Sequence, residues 1–127
     1  MGKVTSYKDL KIWQKGMSIA YDVYQLTQSF PDKEVFGLTS QIRRSASSIP
    51  ANIAEGYGRQ STKSFRYFIK ISRGSLYELA SHLELSAKLN YIDSAELNKK
   101  VLCDIDEQAK MLNSFLKSLE PKLMTND

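Results

Sequence analysis

At 127 residues, 42% hydrophobic and 25% charged, with a formal charge of +4, the chain has the composition of one soluble globular domain. No apolar run approaches the roughly 20 residues that cross a bilayer, so a membrane partner is not expected. MGKVTSYKDLK offers no apolar secretory core, and the lone Cys103 cannot form an intrachain disulfide, so the expected location is the cytoplasm.

The first helix is expected over about residues 7–29. Leu10, Trp13, Met17, Ala20, Tyr24 and Thr27 follow helical spacing there and are assigned to the core face. A second stripe, Ile12, Gly16, Ile19, Val23, Leu26 and Phe30, lies beside it and makes the apolar arc wider than one bundle core needs. Ile12, Ile19 and Val23 are therefore candidates for contact between copies of the chain; the alternative is that this helix is simply the most buried. Phe30-Pro31-Asp32 ends the segment.

The second helix is expected over about 33–57, with Leu38, Ile42, Ala46, Ile49, Ile53 and Tyr57 on one face. Pro50 conflicts with its interior, and the reading is a kinked, near-continuous helix rather than a broken one. The third spans about 61–89, capped by Ser61, with Phe65, Phe68, Ser72, Leu76, Leu79, Leu83 and Ala87 inward. Tyr67, Ile71 and Gly74 lie away from that face and join the candidate subunit contact. The fourth spans about 94–119, opened by an Asp93/Glu96 capping box. It places Leu97, Val101, Ile105, Gln108, Leu112, Phe115 and Leu119 inward and stops before Pro121, leaving Met124 to Asp127 to fray. Short connections favour antiparallel neighbours. The expected fold is all-α, a single-domain antiparallel up-down-up-down four-helix bundle.

Catalytic and metal chemistry find little support. His82 and Cys103 are the only residues of their kinds, and no Glu-x-x-His pair exists for a di-iron site. Gly56-Tyr57-Gly58-Arg59 lacks the spacing of a phosphate loop. The chain is expected to be non-enzymatic, with no metal and no cofactor. Its charge, however, is segregated: residues 1–73 hold 12 Lys and Arg against 5 Asp and Glu, and residues 74–127 hold 6 against 9. Arg59, Lys63, Arg66, Lys70 and Arg73 form a stripe, Lys8, Lys11 and Lys15 a shorter row, and Arg43-Arg44 a further pair. Such cations suit phosphates, with Tyr57 and Tyr67 near enough to stack on unpaired bases. A solvated face, or pairing with Asp104, Asp106 and Glu107, accounts for the same charges.

Asp9-Leu10, Trp13-Gln14, Phe30-Pro31 and Phe36-Gly37-Leu38-Thr39-Ser40-Gln41-Ile42-Arg43-Arg44 carry a resemblance, continued by Ser48-Ile49-Pro50-Ala51-Asn52-Ile53-Ala54-Glu55-Gly56 and Gly74-Ser75-Leu76-Tyr77-Glu78-Leu79. They resemble the bacterial four-helix-bundle proteins encoded by intervening sequences of large-subunit ribosomal RNA genes. The match is strong over about Tyr7 to Tyr91, and Ser72 stands where the family more often has alanine. The resemblance implies a homopentamer. A related branch, the accessory proteins of diversity-generating retroelements, binds nucleic acid and a reverse transcriptase, which makes RNA or other nucleic acid, and by analogy a reverse transcriptase, the implied partners.

Overall fold

The computed structural model describes residues 3–120; the expected fraying of Met124 to Asp127 lies outside them. Ser6 and Asp9 cap a 3-10 turn, Tyr7–Asp9, reciprocally. Leu10 is extended (φ −77°, ψ 128°), so the first helix does not run from residue 7; α1 is Lys11–Leu26. Two further 3-10 turns, Thr27–Ser29 and Asp32–Glu34, fill the connection. The second helix starts later than expected, because Gly37 departs from helical geometry (φ −112°, ψ −112°). The Glu34 carboxylate accepts the Leu38 amide at 3.0 Å and so caps α2, Leu38–Gly58. That bond, with one from Tyr91 Oη at 2.8 Å, holds the Glu34 carboxyl below its ordinary range.

α2 continues through Pro50 without a break. The proline is buried where α1 crosses it: a Cβ on Gly16 would stand 3.2 Å from Ile49 Cγ2, a tight contact, and 3.5 Å from Pro50 Cβ, an ordinary one. Gln60 (φ 58°) turns the chain into α3, Thr62–Lys88, whose Ser61 cap accepts the Ser64 amide at 3.2 Å. Asn90 (φ 64°) follows the end of α3 as a left-handed residue. The fourth rod has three parts: α4, Ser94–Leu97, a π-helical turn over Asn98–Leu102, and α5, Cys103–Ser118. Half of the expected capping box forms. Asp93 accepts the Glu96 amide at 3.0 Å, while the Glu96 carboxylate turns to Lys100.

The helices pack as a square in the order α1, α2, α3, α5, and paired contacts run antiparallel: Gly16 meets Pro50 and Thr27 meets Arg43 across α1 and α2, and Ile12 meets Gln108 and Lys15 meets Asp104 across α1 and α5. Along α2 and α3, Ser48 meets Ser75 while Gly56 meets Phe65 and Phe68. Arg66 meets Leu116 and Arg73 meets Asn113 along α3 and α5. Ile19, Val23, Ile42, Ile49, Ile53, Ile69, Leu76, Leu79, Leu83 and Leu112 have no solvent exposure. Each such side chain stabilises the fold by about 1.5–3 kcal/mol relative to an exposed one. Gln108 lies among them, its Nε2 donating to the Ile12 carbonyl at 2.9 Å, and Ser72 donates to the Ile49 carbonyl at 2.8 Å, an anchor alanine could not supply.

α1 is rotated from the expected setting. Ile12, Ile19 and Val23, expected to meet another copy, are core residues, and Met17 and Tyr24 of the supposed core stripe are exposed. Both stripes satisfy helical spacing, so periodicity could not choose between them. The packing does: Gly16 must face α2, and the β-branched side chains on its stripe fill a dry core with less lost rotamer freedom than methionine.

Candidate nucleic-acid interface

The ten cations picked out in the sequence divide by what they already hold. Lys15 bonds Asp104 at 3.0 Å and Glu107 at 2.6 Å, tying α1 to α5. The Glu107 carboxylate, with Asp104 beside it, keeps the Lys15 ammonium above the usual lysine range. Arg43 closes the end of α1: Nε donates to Thr27 Oγ1 at 2.9 Å, Nη2 to the Tyr24 carbonyl at 3.2 Å, and the guanidinium lies 4.8 Å from the Tyr24 ring centroid. Arg59 pairs with Glu55 at 2.9 Å and covers the Phe68 ring. Lys8, Lys11, Arg44, Lys63 and Lys70 make no side-chain bond among the described residues and are exposed. Neither Arg43 nor Arg44 has a carboxylate partner among those residues.

The stripe on α3 does not lie wholly opposite the core. At about 100° per residue, Arg66 and Arg73 fall on the flank toward α5, and Lys63 and Lys70 fall farther out. Accordingly Arg66 and Arg73 are half-buried. Arg66 Nη1 donates to the Leu116 carbonyl near the end of α5, and Arg73 Nη1 to Asn113 Oδ1 at 2.8 Å. These bonds present Arg66, Lys70, Arg73 and Lys117 around a shallow depression of about 270 Å³, with Asn113 and Leu116 as floor and Glu120 as the one acid lining it. Lys110, two turns before Lys117, lines a separate groove on the α1 side of α5 with Leu10, Lys11 and Glu107. Lys117 escaped the sequence reading because α5 is acidic as a whole. Its i, i+4 spacing with Asn113 was the available signal.

Of the two aromatics proposed for stacking, Tyr57 is half-buried with its ring edge toward Phe65, centroids 6.1 Å apart, and serves packing. Tyr67 is 61% exposed. Ile71 is half-buried, and Gly74 is exposed with open space where a Cβ would stand. Phe36, in the turn that precedes α2, is 94% exposed.

Among the described residues, no group of three or more His, Cys, Asp or Glu is placed to hold a metal ion, and no helix is long and apolar enough to cross a membrane. The family described as 23S rRNA-intervening sequence protein matches residues 8–114. A crystal structure of a protein of unknown function from the S23 ribosomal protein family of Bacteroides thetaiotaomicron is similar at 28% identity, with a TM-score of 0.73, over 84% of this chain and 98% of that one. No curated protein matches the chain.

Proposed function

The chain belongs to the 23S rRNA-intervening sequence protein family, and on that premise we propose that it is a cytoplasmic, non-enzymatic, self-assembling bundle that binds structured RNA through the basic α3–α5 face. The observation that carries this reading is the gathering of Arg66, Lys70, Arg73 and Lys117 from two helices around one depression, with Lys63 two turns before Lys70 on the same outward strip of α3. Arg66 and Arg73 are already held by α5, so their charge is positioned with little further loss of side-chain entropy. The lysines around them are free to follow phosphates, with Tyr67 nearby for an unpaired base. Family resemblance sets the expected assembly near five times 14.4 kDa.

RNA binding measured against salt tests the reading. On single strands log affinity is expected to fall with log salt with a slope of about 0.7 per phosphate neutralised. The variant K63E/K70E/K117E alters three exposed side chains that make no bond among the described residues, so it is expected to keep its fold while binding weakens and the slope shrinks. Absence of binding at low salt, or an unchanged slope in the variant, would refute the interface and leave a protein-interaction scaffold. Arg66 is unsuited to this test, because its loss frees the end of α5.

A further inference from the structure

The fourth rod leaves α1 at one end of the bundle. α4 packs on α3, and the rod meets α1 from the π-helical turn onward. The departure opens a cleft of about 590 Å³ between the end of α1 and the α4–π segment, closed off at one end by Tyr91 and Ile92. That volume lies within the range of small-molecule sites, and π-helical turns recur at functional sites. The cleft shares no residue with the basic depression between α3 and α5.

One wall is a single face of α1, where Asp22, Leu26 and Ser29 follow helical spacing. The facing wall brings Asp93, Glu96 and Lys100, and Leu26, Ile92 and Val101 supply apolar surface. The charges are unequally occupied. Glu96 pairs with Lys100 at 3.4 Å. One oxygen of Asp93 accepts the Glu96 amide at 3.0 Å, and its other oxygen holds no bond among the described residues. Asp22 is half-buried and makes no bond among those residues; burial, then the Asp104 carboxylate, push its carboxyl above the ordinary aspartate range, with Lys100 opposing. A partly desolvated carboxylate without a partner is a cost that an entering ammonium group would relieve. The antiparallel course of the walls sets a length. Asp22 stands by Lys100 and Asp104, and α1 rises from Asp22 to Ser29 as the rod rises from Lys100 to Asp93, about 10 Å in each case. Asp22 and Asp93 therefore mark the two ends. Hydrogen bonds of about 3 Å at each end leave about 4–6 Å between two nitrogens, the reach of an aliphatic chain of about four carbons. A metal ion suits the cleft less, because the acids do not converge to hold one and the apolar surface would stay unused.

We propose that the cleft between α1 and the α4–π segment binds a short aliphatic diamine, with one ammonium on Asp22, the other on Asp93, and the methylenes over Leu26, Ile92 and Val101. The site goes beyond RNA binding and does not depend on it. Asp22 and Asp93 select two cations at a fixed separation, and the apolar surface between them selects hydrocarbon over a hydrated ion.

Putrescine titrated into the full chain at neutral pH and low salt tests the site, by calorimetry and by amide chemical shifts. Saturable binding is expected, with shifts concentrated at residues 22–29 and 91–101. D22N replaces an unpaired carboxylate by its neutral isostere and D93N keeps a good helix cap, so both are expected to stay folded by circular dichroism. Each is expected to weaken putrescine by at least about tenfold, the loss of one charge-assisted hydrogen bond. Butylamine is expected to bind wild type at least about tenfold more weakly than putrescine, and to bind D93N as it binds wild type. No heat and no shifts at millimolar putrescine overturn the proposal, as do shifts spread over the surface or an affinity that D22N leaves unchanged. Butylamine binding as tightly as putrescine overturns the two-ended contact.

Discussion

Alanine at Gly56 sets helix propensity against helix packing. In a helix interior the substitution gains about 1 kcal/mol. The new Cβ, however, would stand 2.8 Å from Phe68 Cβ and 2.9 Å from Phe65 Cδ1. Phe68 Cβ is fixed to the α3 backbone and cannot swing aside, so α2 and α3 must separate along their closest contact. Overpacking of this kind costs about 1–3 kcal/mol. The net expectation is a loss of about 1 kcal/mol, reaching about 2 if the ring of Phe65, which also packs on Phe115 at 5.3 Å, is displaced. Gly58, two residues on, has nothing within 4 Å; alanine there is expected to gain about 0.5 kcal/mol. Thermal unfolding followed at 222 nm, at fixed protein concentration, should place Gly56→Ala roughly 3–6 °C below wild type and Gly58→Ala slightly above it. A Gly56→Ala protein as stable as Gly58→Ala would show that the helix contact yields without cost, and would refute the reasoning.

Arg43→Ala removes two hydrogen bonds and leaves Thr27 and the end of α1 without their fork; a loss of about 1–2 kcal/mol is expected in chemical denaturation, and Arg43→Lys should fall nearly as far because a point charge cannot hold both acceptors. The depressed carboxyl of Glu34 contributes stability at neutral pH that is lost as pH falls below the ordinary glutamate value and through the depressed one. Glu34→Gln is therefore expected to flatten the stability profile below about pH 4.5, and an unchanged acid slope would remove Glu34 from the account.

The four-helix architecture was legible because each rod carries one sustained period, and Ser61 and Asp93 announced their helices through ordinary capping chemistry. α1 was misread in rotation because it is apolar over two stripes, and only the facing surface of α2 distinguishes them. The continuity of α2 through Pro50 was legible because the apolar face keeps its phase across the proline, while the packing of Gly16 of α1 against it, 34 positions earlier in the chain, was not. The basic face was half legible. Spacing found Lys63, Arg66, Lys70 and Arg73 but could not show that α5 anchors two of them, nor that Lys117 joins them from an acidic helix. Adjacent on one helix, Arg43 and Arg44 had to point apart, but the sequence did not say which would turn inward. A rotation of about 100° sends one into the end of α1 and the other to solvent.

The π-helical turn at Asn98–Leu102 gives the fourth rod a coupling between two shafts. A turn bonded i to i+5 holds one more residue than an α-turn, so Leu97, Val101 and Ile105, spaced four apart, all stay buried instead of drifting around the rod. The surplus residue absorbs a phase difference between α4, which follows the α3 turnaround, and α5, which must keep Gln108 under α1 and Asn113 beside α3. Removing one residue from the turn would make the rod a plain α-helix. Either α4 or α5 would then rotate by about 100°, and the face presented to α3 would change while the helix itself survived. The position is thus a gear tooth of the fold, at which the length of the chain, rather than the identity of any side chain, decides which residues look outward.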